Sequence, residues 1–133
     1  NAHALPALIK RFHQANLKKL RKIVLWGTGK PKREFFYVDD LAEACLYLLE
    51  KYNQPEVINV GIGKETSIAQ LAQKIKKISG YRGELVYDTS RLDGNPRRLL
   101  DSSKVSALGW APRTSLETGL NLTWNWYLQR PKK

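Results

Sequence analysis

The sequence predicts an α/β fold, because short apolar runs of strand length alternate with amphipathic segments of helical period, and turn residues separate them. The strand-like runs are residues 23–26, 57–60 and 84–87. Five segments read as helices. In the first, Leu5, Leu8, Ile9 and Phe12 recur at helical spacing, and Pro6 fits the first turn, where its missing N–H costs little. Residues 23–26 then form a strand broken by Gly27-Thr28-Gly29-Lys30-Pro31. Asp39 or Asp40 is positioned to cap a helix whose Leu41, Ala44, Cys45, Leu48 and Leu49 share a face. Residues 57–60 are a strand ended by Gly61 and Gly63.

Thr66 or Ser67 opens the third helix. Ser67 and Gln70 have capping-box spacing, Ile68, Leu71, Ala72, Ile75 and Ile78 form the buried stripe, and Gly80 ends it. After the strand at 84–87, a loop runs through Asp93-Gly94-Asn95-Pro96. Asp101 or Ser102 starts a short helix that stops near Gly109. Thr114 and Glu117 repeat the capping-box spacing before a last helix carrying Leu116, Leu120, Trp124 and Tyr127. Three strands among five helices make a small, mixed and thin sheet, short of a self-sufficient α/β domain.

The chain has 133 residues and is 42% hydrophobic, which fits one small domain or a piece of a larger one. No apolar run reaches the roughly 18 residues of a membrane span. The first residues lack the regions of a signal peptide, and there is no Met, so a native start lying elsewhere is expected. The net charge of +11 suits a phosphate-bearing partner. Its densest stretch, Lys18-Lys19-Leu20-Arg21-Lys22, reads as a solvated helix end. Cys45 is the one cysteine, so no internal disulfide can form. Its place on an apolar helix face predicts a buried thiol, and a cytoplasmic location is expected.

Several motifs fail. Gly27-Thr28-Gly29 lacks the third glycine of a dinucleotide loop, since Lys32 stands there, and no helix opens after Pro31. Gly61-Ile62-Gly63-Lys64 lacks the Ser or Thr of a phosphate loop, since Glu65 follows the lysine. His3 and His13 have no carboxylate cluster, so no metal site is expected.

Other segments are family-specific. They are the start Asn1-Ala2-His3-Ala4-Leu5-Pro6, the turn Trp26-Gly27-Thr28-Gly29, and the run Arg33-Glu34-Phe35-Phe36-Tyr37-Val38-Asp39-Asp40. Ile58-Asn59-Val60-Gly61, Asp93-Gly94-Asn95-Pro96-Arg97-Arg98 and Leu108-Gly109-Trp110 follow in order. Together they resemble the C-terminal part of the GDP-L-fucose synthase family, within the extended short-chain dehydrogenase/reductase superfamily of Rossmann-type folds. The resemblance implies a nucleotide-sugar-binding part over residues 1–129, followed by a disordered basic tail over 130–133. Such enzymes epimerise GDP-4-keto-6-deoxymannose at C3 and C5, then reduce C4 with NADPH. Their Gly-rich cofactor loop and the Ser, Tyr and Lys of reduction belong to an N-terminal half absent from this sequence. NADP(H) is therefore expected in the complete enzyme and not on this chain alone.

By the same resemblance, His3 is the catalytic acid/base of epimerisation and lies near the nicotinamide, a role that suits a group titrating near neutrality. Arg11 and Arg33 match contacts to the nucleotide diphosphate, where guanidinium forks suit phosphate oxygens. Trp26, Asp93 and Arg98 match further substrate positions. Arg98 stands where the family usually has Lys, and Asn95 where it usually has Thr. Without the motifs, the arginines read as surface residues, Trp26 as core, Asp93 as a turn residue and His3 as a frayed terminus.

The resemblance also implies a homodimeric enzyme in which the helix after Asp40 and the strand at 57–60 pack onto the cofactor-binding half. Leu41, Cys45, Leu48, Ile58 and Val60 would lose neighbours without it. Other readings are a different nucleotide-sugar epimerase or dehydratase, a polyanion-binding module, or a partner-binding remnant. The charge supports the polyanion reading, but it is spread over all segments and no nucleic-acid motif accompanies it. Neither nucleic acid nor membrane is an expected partner.

Overall fold

A computed structural model describes residues 4–35, 37–54, 64–94, 97–98 and 103–130, with 97, 98, 103 and 105 described by backbone only. Helix α1 (Ala4–Lys18) leads into strand β1 (Lys22–Trp26), a two-residue strand β2 (Lys32–Arg33) and helix α2 (Val38–Lys51). Strand β3 (Thr66–Ser67), helix α3 (Ile68–Ser79) and strand β4 (Glu84–Asp88) follow. Strand β5 (Arg97–Arg98), helix α4 (Ser103–Ala107) and helix α5 (Leu116–Gln129) complete the chain.

The sheet expected from three apolar runs is instead two small sheets among the described residues. β1 and β4 pair in parallel, with Ile23 beside Leu85 and Trp26 beside Asp88. A parallel pair needs a long crossover, and the chain from β2 through α3 supplies it. β2 stands between β3, antiparallel, and β5, parallel, so that Arg33 is the register partner of both Thr66 and Arg98. These two-residue strands are mostly polar and carry no hydrophobic run, so periodicity does not reveal them. The strand expected at 57–60 lies outside the described residues.

The main core is built where the sequence pattern puts it. Leu8, Ile9 and Phe12 of α1 meet Ile23 and Leu25 of β1, Leu71, Ala72 and Ile75 of α3, and Leu120 and Trp124 of α5. β1 alternates exposed and buried residues, as a strand with one covered face does. Tyr81 closes the far end of this core. Its ring stands edge-on to Phe12 at 5.8 Å, and its hydroxyl donates to the Leu20 carbonyl at 2.9 Å. The α3 capping box is complete: Gln70 N–H donates to Ser67 Oγ at 3.1 Å, and Ser67 N–H donates to Gln70 Oε1 at 3.0 Å. Gly80 ends the helix in the left-handed region, φ 72°.

Three expectations are corrected. Neither Asp39 nor Asp40 caps α2. Tyr37 is at the N-cap without a side-chain capping bond, and both aspartates lie in the first turn, where the helix dipole favours negative charge. Asp40 is buried and accepts instead from Thr114, at 2.9 Å from the amide and 3.0 Å from Oγ1. That engagement removes Thr114 from the expected capping box, and Ser115 caps α5 by accepting from Thr118 N–H at 3.1 Å. Glu117 pairs across to Lys74 of α3. Finally, Cys45 is exposed, because α2 packs through its neighbour Ala44 against Trp110 and leaves the Cys45 side uncovered. The start of α4 and its cap lie outside the described residues. Among the described residues no helix is long and apolar enough to cross a membrane.

Candidate functional site

The carboxyl end of β1 opens into a cleft of about 680 Å³ lined by Arg11, Leu25, Trp26, Arg33, Asp93 and Gly94. Four of the residues singled out from sequence therefore meet in one place. Each is placed by a different element. Arg11 projects from α1 and is exposed, one residue before the fully buried Phe12. Trp26 ends β1; it is 68% exposed, so the core role ordinarily read for such a residue does not hold. Arg33 sits in β2 and is 8% exposed, with Nη1 donating to the Lys32 carbonyl at 2.7 Å. Gly94 lies against it: a side chain there would begin 3.4 Å from Arg33 Nη2. A near-buried guanidinium at the floor of an open cleft offers fork-shaped donors to an anion at low cost in side-chain entropy.

Asp93 holds the cleft's shape. Its carboxylate accepts from Thr28 N–H at 2.8 Å and from Thr28 Oγ1 at 2.7 Å, and Thr28 Oγ1 accepts from Lys30 N–H at 3.1 Å. This clasps the turn after β1 to the loop after β4. The Thr28 hydroxyl, then the Thr28 amide, hold the Asp93 carboxyl below its ordinary value, and Lys30 adds to the effect. Gly27 is required at this point. Its φ is +87°, and any Cβ there would collide with the Asp93 carboxylate. The Gly27-Thr28-Gly29 turn fails as a dinucleotide motif yet matters as the partner of Asp93. The sequence signal for it was the pair of glycines around a hydroxyl residue.

Arg98 lies in β5 as register partner of Arg33, with its side chain outside the description. His3 also lies outside the described residues; Ala4, which follows it, lines the cleft. Asn95 is likewise outside them. A second cleft of about 990 Å³ lies between α3 and α5 and holds none of the predicted site residues. Its Lys74 and Glu117 already pair with each other. Among the described residues no group of three His, Cys, Asp or Glu side chains could hold a metal ion.

The comparisons agree with this arrangement of elements. Residues 1–61 match the model of the NAD dependent epimerase/dehydratase family. The chain is 49% identical over 129 residues to GDP-L-fucose synthase 1 of Arabidopsis thaliana, covering 97% of this chain and 40% of that protein. It is 44% identical over 138 residues to GDP-L-fucose synthase of Escherichia coli strain K12, covering 97% of this chain and 43% of that one. The chain is thus similar to the NAD-dependent epimerase/dehydratase family over its first 61 residues and to GDP-L-fucose synthases over nearly its whole length. Among solved structures, a GDP-L-fucose synthetase from Naegleria fowleri bound to NADP superimposes with a TM-score of 0.90 at 32% identity, covering 96% of this chain and 40% of that one. The chain thus spans about two fifths of the length of the relatives it matches. Its α/β class and its resemblance to GDP-L-fucose synthase both stand.

Proposed function

We propose that this chain is the nucleotide-sugar-binding part of a GDP-L-fucose synthase. The observation that carries the reading is the meeting of Arg11, Trp26, Arg33 and Asp93 at one cleft beside the end of β1. Two guanidinium groups suit a diphosphate, and an exposed indole suits a flat base or a sugar face. Arg98, in the strand paired with β2, is a further substrate residue by the same resemblance. His3 serves as acid/base at C3 and C5 of GDP-4-keto-6-deoxymannose, and the reduction at C4 uses NADPH held with the Ser, Tyr and Lys of the N-terminal part. By this reading the chain alone binds the GDP-sugar without turning it over, and residues 1–129 form one unit that completes its surface against the cofactor-binding part of a cytoplasmic homodimer.

The test is a calorimetric titration with GDP beside a gel shift with non-specific DNA at two salt concentrations. Saturable GDP binding is expected. Because Arg11 is exposed, Arg11→Ala should leave the fold intact and weaken GDP about tenfold, the effect of losing a charge-assisted hydrogen bond. Salt-steep DNA binding without a response to GDP would overturn the proposal.

A further inference from the structure

The Trp26 indole is mostly exposed, yet one of its faces is covered. The guanidinium carbon of Arg91 lies 4.6 Å from the ring centroid. Arg91 is itself held in two ways by Asp88. Its amide donates to the Asp88 carbonyl at 3.2 Å, and its Nε lies 3.7 Å from Asp88 Oδ2. The other carboxylate oxygen of Asp88 accepts from Ser90, at 3.1 Å from the amide and 2.5 Å from Oγ. Asp88 is the register partner of Trp26 across the β1–β4 pair, so ring and tether start from neighbouring points on paired strands. A surface arginine in solvent has no such fixed geometry. Here an amide, a carboxylate and a ring set it together at the mouth of the cleft.

We propose that Arg91 is a positioning residue for nucleoside diphosphate binding: stacked on Trp26 and tethered to Asp88, it fixes the indole at the cleft mouth and leaves the rest of the ring to the ligand. The proposal rests on the nucleotide-sugar reading of the cleft. Arg91 acts through Trp26 and makes no contact of its own with the phosphates. It follows that the contributions of the two residues to binding are coupled.

The test follows the indole N–H resonances by NMR while GDP is titrated into the protein, with the Trp26 signal identified by its loss in Trp26→Leu. Arg91→Ala should shift the Trp26 signal, leave those of buried Trp110 and Trp124 in place, and weaken GDP about two- to fivefold, the worth of an exposed cation–π contact. Arg91→Lys should recover part of that loss. In the Trp26→Leu background, Arg91→Ala should weaken GDP no further. If GDP shifts the Trp26 signal with equal affinity in wild type and Arg91→Ala, or if the two substitutions add, the inference fails while the reading of the cleft stands. If GDP leaves the Trp26 signal of the wild type unmoved, the reading of the cleft fails and the inference with it.

Discussion

Helices α2 and α3 are both amphipathic in sequence, and the fold treats them differently. The apolar stripe of α3 meets α1 on one side and α5 on the other, so Leu71 and Ala72 have no solvent exposure. Among the described residues, the stripe of α2 reaches only a small cluster in which Ala44 and Trp110 are buried, with Tyr47 and Leu48 half-buried beside them. Leu41 remains exposed, and Leu49 is 80% exposed. Periodicity marks a face that can be covered; it does not say what covers it. For α3 the cover is two helices of this chain. For α2, the side expected to lose neighbours without a second half is open at Leu41 and Cys45.

The largest effect that could break this comparison lies in the main core. Phe12 is fully buried, so Phe12→Ala should cost about 3–5 kcal/mol in urea unfolding, through lost transfer free energy and the cavity left behind. Leu49→Ala on α2 should stay within about 0.5 kcal/mol, as exposed substitutions do. Comparable costs for the two would mean that the α2 face is covered in solution, and a dependence of the Leu49→Ala cost on protein concentration would show that self-association covers it.

The Asp40–Thr114 clasp joins the two regions, since it ties the first turn of α2 to the residue before the α5 cap. Removing the carboxylate leaves two donors without an acceptor at a part-buried site. Asp40→Ala should therefore cost about 2 kcal/mol. Thr114→Ala, which keeps the backbone donor, should cost about 1 kcal/mol. Hydrogen exchange sharpens the comparison: amides of α2 should lose protection in Asp40→Ala while those of α3 keep theirs. Equal loss in both helices would make the two regions one cooperative unit.

Sequence reading located the elements whose determinants are local. The Ser67–Gln70 box, the Gly80 terminus, the α1 and α3 stripes and both five-residue strands depend on spacing within one segment, and all were legible. The clasp was not, because the partner of Asp40 is 74 positions away; an acidic residue before a helix reads as a cap until a distant donor claims it. The same competition moved Thr114 out of its expected box. Cys45 was misread because an apolar face carries no label for its cover. At the cleft, family motifs named Arg11, Trp26, Arg33 and Asp93, and the fold brings them together. The roles of Thr28 and Arg91 appear only when the turn after β1 and the loop after β4 stand side by side.

The smallest effect separates the cleft from the core by pH. The Asp93 carboxyl is held below its ordinary value near 3.8 by the Thr28 hydroxyl and amide. A depressed folded value means that the ionised form is favoured by the clasp, so the contribution is complete above the ordinary value and is lost as pH falls through the folded value. The clasp between the turn at 27–30 and the loop at 92–94 should therefore hold at neutral pH and release only below about pH 3.8. The Thr28 amide shift, followed by NMR from neutral to acid pH, should turn over in that range with a midpoint below 3.8. Asp93→Asn retains one acceptor oxygen and carries no titrating group, so its Thr28 shift should be flat there. The main core draws on apolar burial rather than on this carboxylate, and the helical circular dichroism signal should persist where the Thr28 signal moves. A Thr28 midpoint at or above 3.8 would show that the clasp does not select the ionised carboxylate; simultaneous loss of both signals would show that the cleft loops and the helical core unfold together.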